Sequence, residues 1–519
     1  MKKTVALLLA ATALTSAAQA DSLVRVLTAP LGAEITGLYE QGGDLFANMQ
    51  HPDGEIGGAF SKAVVGVISN VNWTGGEHAA PTDEAARKTV TSTLGDYQIL
   101  LSEGENGVGV ITSIAGEELL VSNDPDFNGF IPTGANTGFL FTNWENRPGG
   151  MSRAALTRAD NGRWSVDGVE MLDFSSVGGT WVNCFGTVSP WGTPLTSEEL
   201  YFDDTADWNN PEYKYVEDTK VLAAYLGEDQ YPNPYDYGYI VEITDPTDTA
   251  APVKHFALGR FSHENAVVMP DQKTVYLSDD GTGVVFFKFI ADTAGDLSAG
   301  TLFAAKIVQD GPAGADAGET ALNIHWIELA HGSNDEIASW ITEYDGIGLD
   351  DYSADATNYI TDEDVAAWAA GEATDNRVAF LESRKAAVAK GATGEFRKME
   401  GVNINLDGAA DGSVPFMYMA MSSIGKTMSD GEGDIDLAEN KCGVVYEMEL
   451  DASFDVARMV PVVAGFGYNK DNAPNACPVA SVSNPDNLIV RKDGSVLIGE
   501  DTSSHENNAL WIYTKGQQS

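Results

Sequence analysis

The chain has 519 residues, with 77 Asp or Glu against 30 Lys or Arg, a formal net charge of −47 at pH 7. Such a surface repels phosphate backbones and anionic lipids instead of releasing their counterions, which argues against nucleic acid and membranes as partners. A hydrophobic content of 43% with ten Trp argues against disorder and requires a real core.

The first twenty residues run from Met1-Lys2-Lys3 through an apolar stretch, Val5 to Ala13, to Ala18-Gln19-Ala20 before Asp21. This basic, apolar, small-residue order is that of a cleaved secretory signal over residues 1–20, so Asp21 is the expected mature N-terminus and the protein is expected to be periplasmic or secreted. No twin-arginine pair is present, which points to export of the unfolded chain with metals acquired afterwards. No later stretch approaches the roughly 20 uninterrupted apolar residues of a membrane-spanning helix. Without Lys2 and Lys3, 28 basic residues face 77 acidic ones, a charge of −49. Most of this charge reads as solubility, while a minority of the carboxylates would suit calcium, which takes oxygen ligands.

Along the mature chain one pattern recurs: an apolar stretch, a polar turn, a β-rich stretch, an acidic loop and an aromatic-rich strand. A weak copy runs from Ile35 through Gly42-Gly43 to Leu45-Phe46. The clearest runs from Val267 to Leu277, then Asp279-Asp280, then Val284 to Phe289, and another runs from Ile489 through Asp493-Gly494 and Glu500-Asp501 to Tyr513. Short strands joined by Gly- and Asp-rich turns indicate an all-β fold, and a chain of this length with an irregular repeat favours a β-propeller as one domain over 21–519. Residues 361–391 break the pattern. There Val365, Trp368, Val378, Leu381 and Val388 stand among Ala, Glu, Arg and Lys, which predicts a helical insertion stopped by Gly391.

Three cysteines leave one unpaired. Cys442 and Cys477, 35 positions apart, are expected to form a disulfide, and Cys184 is left as a free thiol or metal ligand. Cys184 is followed fourteen and fifteen residues later by Glu198-Glu199, with Gly and Pro turns between, a spacing that would give one site both soft and hard donors. Taken alone, a buried thiol and a solvated Glu pair are the commoner reading. Asp430-Gly431-Glu432-Gly433-Asp434-Ile435-Asp436 alternates carboxylates but lacks the Gly and distal Glu of an EF-hand loop, so it reads as a surface loop. His263 reads as an orienting or core histidine. Neither a phosphate-binding loop ending in Lys-Ser/Thr nor a Gly-x-Ser-x-Gly elbow occurs.

The run Asn183-Cys184, Thr187, Ser189-Pro190-Trp191-Gly192-Thr193, Leu195-Thr196, Glu198-Glu199 resembles the signature of the PhoX-type alkaline phosphatase family. Further blocks agree: Gly259-Arg260-Phe261-Ser262-His263-Glu264, Gly391-Ala392-Thr393 leading to Glu400-Gly401, Pro485-Asp486-Asn487-Leu488, Asn143-Trp144-Glu145 with Pro148-Gly149-Gly150, and Gly32 to Gly37 through Gln50-His51-Pro52. The resemblance implies a six-bladed propeller around ferric (Fe3+) and calcium (Ca2+) ions that hydrolyses small-molecule phosphate monoesters; separately, a monomer is expected. It implies Cys184 as a thiolate ligand to iron, Glu198, Glu199 and Glu264 as metal carboxylates, and Asp279, Asp280, Glu400 and Asp486 near the metals.

Three departures stand out. Where the family has Arg-Pro-Glu, this chain has Arg397-Lys398-Met399-Glu400, so either Arg397 or Lys398 would hold phosphate. The Gln50-His51-Pro52 block lies near the N-terminus instead of the C-terminus, and the signal lacks the twin arginines of a family exported folded. Two rival readings remain from the sequence: another metal-dependent propeller hydrolase, such as a lactonase or a phosphodi- or triesterase, and a non-catalytic acidic propeller that binds a partner.

Overall fold

Strands of five to nine residues bury alternate side chains on both faces only if each sheet is covered by a neighbour. In the computed structural model, which describes residues 20–516 apart from 201, 203 and 228–230, that cover is arranged as a ring. The expected signal segment therefore lies outside the described residues except for Ala20.

The first sheet runs Glu34–Gln41, Asp44–Gln50, Val64–Ile68, Tyr97–Ser102. The second is Pro125–Pro132, Thr137–Trp144, Gly150–Arg158, Trp164–Met171, and the third begins at Asn183–Val188. Two further units, starting at His263–Val268 and Met399–Ile404, share one nine-stranded sheet because their last strands, Leu322–Ser333 and Arg458–Ala464, pair where Leu322 meets Met459 and Asn323 meets Arg458. The last unit, Pro485–Val490, Val496–Glu500, Ala509–Thr514, takes Ser22–Thr28 from the other end of the chain as its next strand. Joining the two ends of the chain within one sheet closes the ring.

The first strands pack neighbour to neighbour in a cycle, from Glu34–Gln41 through Pro125–Pro132, Asn183–Val188, His263–Val268, Met399–Ile404 and Pro485–Val490 back to Glu34–Gln41. Between successive sheets lie separate apolar cores, as the period-two pattern requires. Met417 and Met419 face the preceding unit, with Val267 and Tyr276, while Tyr418 and Ala420 face the following one, with Leu488 and Trp511. Ile35 and Leu45 meet Leu497 and Leu510 where first and last units touch. The all-β propeller expectation is met, and this cycle of first strands is the feature that supports six blades.

The helical insertion is present as Asp362–Ala369, Arg377–Leu381 and Ser383–Ala389, with Gly391 following at φ 91°. Thr361 and Asp364 cap its first helix reciprocally. Val365, Trp368, Val378 and Leu381 are buried against the fourth unit, whereas Val388 is exposed. The helical region also starts earlier than the pattern suggested, at Asn334–Ile341. No described helix is long and apolar enough to cross a membrane.

Cys442 and Cys477 are joined, with Cα atoms 6.0 Å apart. Closing a loop of 35 residues is worth about 3–4 kcal/mol in the chain-entropy account.

Candidate metal centre

A regular strand cannot aim a side chain down the ring axis and keep its ladder, but a bulge that sets two residues opposite one can. Every first strand carries such a bulge near its start. The ladder jumps from Asn183 to Gly186, from His263 to Ala266, from Met399 to Val402 and from Pro485 to Leu488. It does the same between Pro125 and Asn128 and between Thr36 and Tyr39. The first residue skipped is, in ring order, Gly37, Asp126, Cys184, Glu264, Glu400 and Asp486. All but Gly37 carry a group that binds metal.

At Gly37 the chain takes φ 58°, and an added Cβ would stand 2.1 Å from Nδ2 of Asn48. The position is filled by amides instead: Gly37 donates its N–H to Asn487 at 2.9 Å and accepts from Asn128 at 2.8 Å, stitching adjacent units.

The donors converge. Cys184 Sγ lies 3.1 Å from Asp126 Oδ2 and 3.3 Å from Glu264 Oε2. Ligating atoms of Asp126, Cys184 and Glu264 lie within 4.8 Å of one another, as do those of Glu145, Cys184 and Glu199 and those of Glu264, Glu400 and Asp486. These overlapping triads form one continuous patch. Around it, Gln50 donates to Glu145 at 3.0 Å, Asn487 to Asp126 at 3.1 Å and Ser422 to Glu400 at 2.7 Å. Glu34, in contact with His51, is partly buried beside Asp501 and Asp486. The N-terminal Gln50-His51 block thus reaches the centre although it is displaced in sequence.

So many buried carboxylates cannot all be ionised without cations. Burial, then mutual repulsion, pushes Asp126 up to about 7 and Glu145 to about 8. Burial and Asp280 raise Glu400 to about 7 despite Lys398. Glu199, Glu264, Asp486 and the Cys184 thiol are driven well above their ordinary ranges, in each case chiefly by burial. Neither Glu199 oxygen receives a hydrogen bond from an amide or basic group. The donor set is one thiol and many carboxylates with no imidazole inside it. It fits hard cations that take oxygen ligands together with one ion that accepts a thiolate.

Of the residues expected in the site, Cys184, Glu199, Glu264, Glu400 and Asp486 are brought together. Asp280 lies at the rim against Glu199 and is ion-paired to Lys398 at 2.8 Å, and Lys398 also reaches Glu400 at 3.1 Å. Burial opposes ionisation of Asp280, but the Lys398 ammonium holds its carboxyl below the usual range.

Glu198 and Asp279 are placed otherwise, because neighbouring residues on a strand point to opposite faces. Glu198 pairs with Lys254 at 3.0 Å and accepts from the backbone of Trp181, Gly238 and Tyr239. Asp279 is gripped by Arg384 and accepts from Val285 N–H at 3.2 Å. Arg397 has its Nη1 3.1 Å from where a Cβ at Gly425 would stand, near Glu439, and its buried Nε donates no hydrogen bond among the described residues. His263 donates through Nε2 to the carbonyl of Gly259 at 2.9 Å and stacks on Phe261; burial lowers it to about 3, so it is a neutral core residue. The acidic loop at 430–436 folds around Glu395, which accepts from the N–H groups of Asp434 and Ile435, while Asp434 pairs with Lys306.

Asp126 and Glu145 join the donor patch but were not singled out as candidate ligands from the sequence. A signal existed: Pro125-Asp126 repeats the Pro485-Asp486 pair at the equivalent bulge, and Glu145 closes the Asn-Trp-Glu block.

The sequence profile of the family described as Alkaline phosphatase PhoX matches residues 146–519. Asp126 and Glu145 precede that range, yet they complete the donor patch. Among solved structures, the chain is similar to Pseudomonas fluorescens PhoX in complex with vanadate, a transition state analogue, with 18% identity, a TM-score of 0.53, and coverage of 94% of this chain and 87% of that one. More distant likenesses are a luciferin-regenerating enzyme, 8% identical with a TM-score of 0.38 over 95% of each chain, and a Xanthomonas campestris gluconolactonase. The latter is 9% identical, with a TM-score of 0.32 over 96% of this chain and 98% of that one. No curated protein matches.

Proposed function

The chain belongs to the PhoX family of alkaline phosphatases, and from that premise we propose that it is an exported phosphomonoesterase working at a mixed iron and calcium centre. The observation that carries this reading is a single ammonium, Lys398, fixed between Asp280 and Glu400 at the edge of a thiol-carboxylate patch. A phosphate dianion is repelled by carboxylates unless cations reverse the local potential.

Cys184, with Asp126, Glu145, Glu199 and Glu264 around it, would hold iron, and the all-oxygen group of Glu264, Glu400 and Asp486 would hold calcium. When bound, such ions neutralise phosphoryl oxygens and supply a nucleophile at neutral pH. The protein's own part is positional. Lys398, one-third exposed, presents its ammonium to a phosphate oxygen, and Ser422 and Gln50 orient Glu400 and Glu145 by donating to them. Asp126, Glu145 and Glu400, on which burial favours a proton, would give it up to a cation held there.

A lactonase or phosphodiesterase would use a similar scaffold, so substrate choice is the test. The chain should hydrolyse p-nitrophenyl phosphate with a kcat/KM well above that for bis-p-nitrophenyl phosphate or for a γ-lactone. A preference for the diester or the lactone would refute the monoesterase reading.

A further inference from the structure

Lys398 adopts φ 52°, a left-handed conformation that Lys rarely takes and that its surroundings must hold. Its N–H donates to Gly281 O at 2.8 Å, and its ammonium meets Asp280 at 2.8 Å. The turn Asp279-Asp280-Gly281 is therefore the template on which Lys398 is set. What fixes that turn lies on its other side. Arg384, from the inserted helix Ser383–Ala389, donates through Nε to Asp279 Oδ2 at 2.8 Å, through Nη2 to Asp279 Oδ1, and again to the carbonyl of Asp280 at 2.8 Å. Asp279 is fully buried, and apart from the N–H of Val285 this guanidinium is its partner. A planar fork can hold a carboxylate and the next carbonyl together, which an ammonium cannot do with the same geometry.

We propose that Arg384 is a positioning residue for phosphate: by clamping the Asp279–Gly281 turn it sets the place of the Lys398 ammonium, and this is what the helical insertion contributes to the site. The inference rests on the phosphomonoesterase reading given above. Removing the guanidinium would leave the Asp279 carboxylate buried without its cation, so the turn must shift or take up a proton, and Lys398 moves with it.

The test uses the metal-loaded full chain and inorganic phosphate as the probe of the grip. In R384Q, kcat/KM for p-nitrophenyl phosphate should fall about 10- to 100-fold and the inhibition constant of phosphate should rise by a similar factor, with bound metal per chain unchanged. R384K should lie between R384Q and the native chain. Lys385→Ala serves as the control: Lys385 anchors the same helix through Asp204 and Asp362 but makes no contact with the turn, and its loss should leave both constants alone. Native constants in R384Q, or an equal loss in K385A, would overturn the proposal. If R384Q does not fold, R384K decides, since a phosphate inhibition constant equal to that of the native chain would overturn it too. A native chain inactive on every phosphate monoester would overturn this proposal together with the activity it rests on, whereas native activity with an indifferent R384Q removes the proposal alone.

Discussion

Lys398 is the residue on which a phosphatase reading of this site bears most directly. Its ammonium lies 2.8 Å from Asp280 and 3.1 Å from Glu400, so it is already in place before any ester arrives. Lys398→Ala should lower kcat/KM for p-nitrophenyl phosphate by about 10- to 1000-fold, equivalent to about 1.4–4 kcal/mol of transition-state stabilisation, with bound metal retained. Arg397→Ala should leave it within about twofold, since the Arg397 guanidinium lies beside Gly425 and Glu439; kinetics in which Arg397 matters and Lys398 does not would reverse the assignment. The sequence narrowed the grip to these two neighbours and could go no further, because which of them faces the axis depends on the register of Phe396–Arg397 against Thr282–Val284. For the same reason Glu198 and Glu199 were inseparable in sequence, and only strand alternation sends one to Lys254 and the other to the centre.

At the level of elements, the bulge repeated in all six first strands explains how five strands of different sequence deliver donors to one centre. It was only partly legible. Polar residues at strand starts, as in His263-Glu264-Asn265 and Pro485-Asp486-Asn487, were visible, but a two-against-one register leaves no mark in hydrophobic alternation. Gly37, which has no metal-binding side chain, shows that the bulge has a structural role of its own. An Ala there would meet Asn48 and Asn128 and break the amide stitching between units. Gly37→Ala should therefore destabilise the fold by about 1–3 kcal/mol more than Gly42→Ala, judged from urea midpoints. Gly42 is the matched control, at φ 59° with open space around it. Equal midpoints for the two variants would show that the close approach at Gly37 does not matter. The inserted helices were legible because their period differs from that of the strands, while Arg384 was not, since a charged residue on a short helix reads as solvated until its partner is seen.

The whole molecule combines a net charge of −47 with a ring whose axis gathers further carboxylates, and two devices make this tolerable. One is closure: Ser22–Thr28 pairs with Ala509–Thr514, so the repelling units share one continuous ring of cores. The other is neutralisation at the centre, where Asp126, Glu145 and Glu400 hold protons near neutral pH unless cations replace them. The propeller class, the insertion and the Cys442–Cys477 bridge were all readable from composition and period. The order of units around the axis was not, because it depends on the N-terminal strand joining the last sheet. The claim that these carboxylates and Cys184 exist to hold catalytic cations is tested most directly by measuring p-nitrophenyl phosphate hydrolysis together with iron and calcium content, before and after chelation and after calcium is restored. The account predicts bound iron and calcium, loss of at least about 100-fold in kcat on chelation and recovery with calcium. Undiminished hydrolysis by metal-free protein would contradict it.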